Sequence, residues 1–465
     1  MARSRSRNQT PPAPTPPVVD RGTEQPGEFT GRYLVILRDD GVKEGLQAIK
    51  AASGLSHVCN TADFENSDVE MSQADEAEVF VLDKLNIAVV DTDPSQAGSL
   101  QAAAAEDSAI LAVEPERIMH AISQHEPLGA VEFPFEYLKG YRDAVNHLYA
   151  TLTGAPAEEE RGFEAAAVFA DNALFTWGLQ ATLVSQSRFS GRGIRVAVLD
   201  TGLDLAHPDF AGRRINNSSF VTGEAVQDGN GHGTHCIGVA LGTKSPPTGV
   251  RRYGCAFGGE IFAGKVLSNQ GSGADNGILA GINWAITNQC RVVSMSLGAA
   301  VLPGEPFSQV YEAVAQRALQ SNPGTLIIAA AGNSSRLPNG QRRVPPNPVG
   351  RPANCPSIMA VAALDANLGI APFSDGGINP NGGGVDIAAP GVNMFSSFPV
   401  NRGRHALLSG TSMATPHVAG IAAMWLEARG AGTSAQALWQ LLTGNARRLA
   451  LSSRDAGAGL VLAPQ

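Results

Sequence analysis

Long apolar runs, cysteine and surplus basic charge are all scarce in this chain, and each scarcity removes a class of function. No stretch approaches the ~20 apolar residues that a membrane-spanning helix needs. The 465 residues carry 34 Lys and Arg against 43 Asp and Glu, a formal net charge of −9. A nucleic-acid binder would show the opposite balance. The five cysteines, Cys59, Cys236, Cys255, Cys290 and Cys355, are odd in number and widely separated. Their spacing matches neither a zinc site nor a disulfide-dense scaffold, which favours free thiols in a reducing compartment and leaves a Cys290–Cys355 bridge open. The opening "MARSRSRNQTPPAPTPPVVD" has no apolar core and no twin-arginine pair. The expectation is a chain that is cytoplasmic or exported by a route other than the general secretory one.

Apolar residues, by contrast, make up 43% against 17% charged, enough for a large core. Residues 1–30 read as a disordered, proline-rich arm. Residues 31–121 then alternate as strand, helix, strand, strand, helix, strand, the order of a small ferredoxin-like α+β domain. Over 122–172 Tyr137, Leu138, Tyr141, Val145, Leu148 and Tyr149 share one helical face, and "GAPAEEERG" reads as an exposed break open to proteolysis. From 173 to 465 the grain changes. "IRVAVLD", "EIFAGKVL", "CRVVSMSLG", "TLIIAAAGN" and "SIMAVAALD" are β-branched runs with no polar alternation. Such runs belong to parallel strands buried on both faces, here separated by helices. The fold expected is an α/β three-layer sandwich with a mostly parallel central sheet.

Four stretches carry chemistry. Asp200 ends "IRVAVLD", at the carboxyl end of a strand, where open α/β sheets gather functional groups. Alone it reads equally as a turn carboxylate. His232 lies in "DGNGHGTHCIG" at a helix start, and with His235 and Cys236 it also has helical metal-ligand spacing. Asn333 ends "TLIIAAAGN"; it is either a turn residue or an N–H donor for a developing oxyanion. Ser412, in "LSGTSMATPHVAG", is either a helix cap or a nucleophile. A Ser hydroxyl attacks only when a base takes its proton, and a carboxylate must hold that base. Asp200, His232 and Ser412 supply the three groups. Pro416 is expected in the first turn of the helix after Ser412, where it breaks no bond.

Together, "VAVLDTGLDLAHPDF", "DGNGHGTHCIGVALG", "IIAAAGNSS" and "LSGTSMATPHVAGIAA" strongly resemble the four signature segments of subtilisin-like serine proteases, over roughly residues 173–450. The resemblance implies Asp200, His232 and Ser412 as triad and Asn333 with the Ser412 N–H as oxyanion hole. It implies Gly271-Ser272-Gly273 and Ser296-Leu297-Gly298 as the segments flanking an extended polypeptide substrate. Cys236, four residues after His232, is similar to the cysteine of the thiol-containing, proteinase K-like branch. Residues 31–121 resemble the inhibitory propeptide of the family, which would make the chain its own intramolecular inhibitor, released as a monomer. About fifty residues then separate propeptide and protease, more than is usual for the family. No cofactor is implied for the chemistry. Structural calcium is implied at Asp209, although the companion loop "GTKSPPTGVRRYG" lacks oxygen-bearing ligands. A second calcium position is implied at Asp386 with the carbonyls of Pro356 and Ile358. An acyl-enzyme handed to an amine, as in a peptide macrocyclase, is the alternative to hydrolysis. Arg336, Arg342, Arg343 and Arg351 follow Asn333; they read as exposed loop charge, with a preference for acidic side chains of the substrate as the alternative.

Overall fold

The computed structural model describes residues 29–104, 108–122 and 168–465. The segment 123–167, with its expected helix and processing loop, lies outside them. The N-terminal unit comprises β1 (Phe29–Leu37), α1 (Val42–Ser53), β2 (Val58–Asn60), α2 (Met71–Glu76), β3 (Val79–Leu82), β4 (Ile87–Val90), α3 (Pro94–Ala103) and β5 (Ile110–Ala121). Its main strands run β5-β1-β4-β3 and pair antiparallel, the ferredoxin-like order. Strand β2, on the outer edge, and α2 add to that plan.

The period of two explains why these strands are apolar at almost every position. Val35, Leu37, Val79, Val81, Ala88 and Val90 face a small core that includes Ile49 of α1 and Leu100 of α3. Their neighbours Leu34, Ile36, Phe80, Leu82, Ile87 and Val89 point the other way, into the main core of the chain. Burying each such side chain contributes roughly 1.5–3 kcal/mol. This second face therefore welds the N-terminal unit to the rest of the chain.

The larger unit is built on seven parallel strands in the order Ile387–Pro390, Met359–Leu364, Leu326–Ala330, Val292–Met295, Arg195–Asp200, Glu260–Lys265 and Ile215–Ser219. After α4 (Trp177–Ala181) come β6 (Arg195–Asp200), β7 (Ile215–Ser219), α5 (His232–Leu241), β8 (Glu260–Lys265), β9 (Ser272–Ala274), α6 (Asp275–Thr287), β10 (Val292–Met295), β11 (Leu297–Gly298), α7 (Gln309–Gln320), β12 (Leu326–Ala330), β13 (Met359–Leu364) and β14 (Ile387–Pro390). A hairpin, β15 (Met394–Ser397) and β16 (His405–Leu408), leads into α8 (Thr411–Arg429) and α9 (Ala435–Gly444). Helices α5 and α8 pack together against the sheet, while α6 and α7 carry the N-terminal unit. This is the α/β sandwich expected from the strand pattern. All five cysteines are free thiols, so the Cys290–Cys355 bridge is not formed. Among the described residues no helix is long and apolar enough to cross a membrane.

The two units are also clamped by one arginine. Arg317 of α7 donates to the carbonyls of Leu85 (2.7 Å) and Leu37 (2.9 Å) and pairs with Asp39. Asp39 is largely exposed, so that pair contributes little, and the two charged bonds to carbonyls dominate. Arg317→Ala should lower the stability of the uncut chain by about 1–3 kcal/mol in urea unfolding. An unchanged midpoint would show that the apolar face alone holds the units together.

Candidate active site

Asp200 leaves the end of β6 fully buried. Its Oδ1 accepts from the Thr201 N–H (2.8 Å) and from His232 Nδ1 (2.7 Å). The helix bearing His232 starts where it does because of Asp228, a residue that the motif alone does not single out. Its carboxylate accepts from the N–H groups of Gly231 (2.7 Å) and Thr234 (2.9 Å) and from the Thr234 hydroxyl (2.7 Å). Thr201 then ties that turn to β6, donating to Asp228 at 2.9 Å and accepting from the Gly233 N–H at 2.8 Å. Sequence offers a signal here, an acid three residues ahead of Gly231, but not its partners. Burial alone would lower the His232 pKa; the adjacent Asp200 carboxylate outweighs it and holds the imidazole well above its ordinary value. His232 Nε2, the nitrogen opposite Asp200, is buried without a partner.

Ser412 is not the helix cap. Helix α8 begins at Thr411, with Gly410 at the cap position, so Ser412 lies inside the first turn. The capping acceptor comes from elsewhere: Asn333 Oδ1 accepts from the Thr411 N–H and hydroxyl, both at 2.9 Å. Pro416 consequently lies deeper than expected, six residues into the helix. Its missing N–H would have bonded the carbonyl four residues back, which is that of Ser412. That carbonyl is taken instead by the Ser296 hydroxyl (2.8 Å) and the Cys236 thiol (3.5 Å). The same sulfur lies 3.9 Å from His232 Nδ1, so Cys236 bridges the segments carrying His232 and Ser412. His235, in contrast, turns away and bonds the Met394 carbonyl at 2.9 Å. Burial pushes its pKa down to about 3. The His232–His235–Cys236 metal reading is therefore corrected: the side chains that converge are Asp200, His232 and Cys236.

Running between the two expected flanking segments is β5 itself. On one side His120, Met119 and Ile118 pair with Ser272, Gly273 and Ala274, and the Ala121 N–H reaches the Gly271 carbonyl at 2.8 Å. On the other side Ala121 and His120 pair with Leu297 and Gly298, and the Ile122 N–H donates to the Ser296 carbonyl at 3.2 Å. All six residues read from sequence as substrate-flanking thus hold one extended strand. At its end, the Ile122 carbonyl accepts from the Ser412 hydroxyl and from Asn333 Nδ2 at 3.0 Å. Because Asn333 Oδ1 is committed to Thr411, its amide can only present N–H to that oxygen. Gly332 shapes this turn: its φ is +115°, and a Cβ there would lie 2.3 Å from Asp375 Oδ2.

Beside Ile122 lies a cavity of about 330 Å³, lined in part by Gly298, Gly350, Ser334 and Asp375. None of Arg336, Arg342, Arg343 and Arg351 lines it. Arg342 pairs with Asp455, and Arg351 pairs with Glu305. The charged group in the wall is the Asp375 carboxylate.

Residues 191–459 match the profile of the Subtilase family. The chain belongs to the subtilase family. Subtilisin DY of Bacillus licheniformis is 37% identical over 249 residues, covering 53% of this chain and 82% of that protein. Subtilisin Savinase of Lederbergia lenta is 40% identical over 252 residues, with the same two coverages. M-protease of Shouchella clausii matches at 40% over 252 residues, 58% of its length. The chain is a subtilisin-like serine endopeptidase.

The two positions implied for calcium differ in this subtilase. Asp209 is already filled: it accepts from Thr248 (2.8 Å), Tyr253 (2.7 Å) and His405 (2.8 Å). Burial would raise its pKa, but these bonds outweigh it and hold the group at about 2. With imidazoles as neighbours, this donor set does not fit a hard cation. Asp386 does fit. Burial pushes its carboxyl up to about 7, opposed by one N–H, that of Ala360 at 2.8 Å. Above its ordinary value and up to about pH 7, the fold takes up a proton there unless a cation replaces it. Added calcium should therefore raise Tm more at about pH 8 than at about pH 5.5, and Asp386→Asn should remove the difference. An equal response of the variant would exclude the site.

Proposed function

We propose that this subtilase is a precursor whose catalytic groups are Asp200, His232, Ser412 and Asn333, and that it is held inactive by its own residues 29–122. In this reading Ile122–Ser123 is the first bond it cuts. The observation carrying the proposal is the Ile122 carbonyl, set against the Ser412 hydroxyl and Asn333 Nδ2 at the end of a strand paired on both sides.

In the uncut chain the Ser412 hydroxyl donates to the carbonyls of Ile122 and Ser296, and in this reading it turns to the unpartnered Nε2 of His232 to react. Ser412 Oγ attacks the Ile122 carbonyl carbon while His232 takes its proton, and Asp200 keeps Nδ1–H directed and stabilises the imidazolium. Asn333 Nδ2 stabilises the developing oxyanion. His232 then protonates the departing Ser123 amine, and water resolves the acyl-enzyme by the same path. These steps use protein groups and water alone.

Docking of the inhibitor is supported by two contacts at helix ends. Glu116 accepts from the Asn276 N–H (2.8 Å) at the start of α6, and Glu114 from the Gln309 N–H (2.6 Å) at the start of α7. Carboxylates at helix N-termini are favoured by both the free N–H groups and the dipole. Cleavage alone leaves these contacts intact, so the cut strand stays docked until it is degraded.

Ser412→Ala should yield an uncut, folded chain, and the wild type should yield a fragment ending at Ile122 by mass spectrometry. A cut elsewhere with Ile122–Ser123 intact would overturn the assignment. Asn333→Ala should lower kcat by about 10²–10³ with KM little changed, a magnitude taken from subtilisin itself. Cys236 supports a further similarity to the thiol-containing branch. A mercurial should inactivate the enzyme, and Cys236→Ala should resist it; a fully sensitive variant would remove that role.

A further inference from the structure

We propose that the substrate cleft reads as far as the sixth residue before the cut bond, through a subsite made by Asp275 and Glu305 that takes that residue's main-chain N–H and a basic side chain. The proposal rests on the reading of β5 as a substrate-like strand. Counting back from Ile122, ladder pairing with β9 ends at the fifth residue, Ile118, opposite Ala274. Strand β9 stops there because Asp275 opens α6. An ordinary edge would leave the next N–H to water. Here the N–H of Arg117 is met by Asp275 Oδ2 at 2.9 Å.

Asp275 is built for this position. It is only 3% exposed beneath the strand, and its other oxygen is fixed by the Tyr311 hydroxyl at 2.8 Å. The acceptor is thus oriented by a residue of α7, independently of the strand. The Arg117 guanidinium lies 3.7 Å from Glu305 Oε1, and Glu305 is itself anchored by Arg351. A main-chain N–H is common to almost every residue of a peptide, so Asp275 rewards length. Glu305 adds a preference of sign, weaker because it is partly exposed. Burial pushes the Asp275 carboxyl up to about 7, a desolvation that offsets part of the bond. The expected gain is therefore at the low end for a charged hydrogen bond, about tenfold.

The test uses processed enzyme and peptides identical in the five residues before the cut bond. One series ends there; the other extends to a sixth residue, Arg or Glu. Extension with Arg should raise kcat/KM about tenfold, mostly through KM, as expected for binding shared by ground and transition states. Arg should exceed Glu at the sixth position several-fold at low salt, and Glu305→Gln should shrink that ratio. Asp275→Ala should bring the long and short peptides together, with Asp275→Asn, which keeps one acceptor oxygen, between it and wild type. Equal kcat/KM for long and short peptides in the wild type would overturn the subsite while leaving the proposed function standing. A length advantage that survives in Asp275→Ala, with only the hold on residues 29–122 weakened, would overturn it too. Failure of the wild type to cut any peptide would overturn the proposed function and this inference with it.

Discussion

Two short segments of this molecule, β9 and β11, carry backbone hydrogen-bonding groups that face each other across a gap too wide for them to pair. Much of the rest depends on that constraint. A gap of one strand's width between two ladder edges is a receptor for any extended chain, with affinity supplied by main-chain groups and discrimination left to pockets. The three strand ends that deliver Asp200, Ser296 and Asn333 are held in register by the parallel sheet behind them. Since the sheet fixes their spacing, the carbonyl of whatever fills the gap arrives at one place. The N-terminal unit exploits this by contributing β5, and its own sheet continues through that strand into the larger unit.

Asn333 shows how few atoms are needed to couple structure and chemistry. Its oxygen terminates the helix that bears Ser412, and its nitrogen reaches the carbonyl in the gap. The orientation of the amide is set by the first bond, so the second is prepared before anything binds. Donors fixed ahead of time do not need to reorganise as charge develops, which is where preorganised sites gain over water.

Much of this is legible in the sequence because it is local. Strands buried on both faces appear as continuous apolar runs, and each chemical group sits at a strand end or helix start marked by glycine. The features that escape such reading depend on pairing at long range. Local pattern places Pro416 one turn too early, because the helix start depends on Asn333, 78 residues away. The Arg residues after Asn333 look like a specificity signal, yet Arg342 and Arg351 turn to Asp455 and Glu305, which no local pattern reveals. Asp209 matches a ligand position by motif, but His405 and Tyr253, distant in sequence, complete its shell differently. Asp228 shows only its place three residues ahead of Gly231, and Asp275 carries no distinguishing pattern of its own.

The carbonyl of Ser412, released by Pro416, has a consequence for how the chain comes to be a protease at all. Its two donors sit on different elements, Ser296 after β10 and Cys236 on α5, and both are translated more than a hundred residues before Ser412. Ser412 is thus seated by parts that exist early but have nothing to grip until the end of the chain emerges. A nascent chain on the ribosome carries β5, Asp200 and His232 long before it carries Ser412. Order of synthesis therefore has β5 in hand before the residue whose hydroxyl meets its last carbonyl.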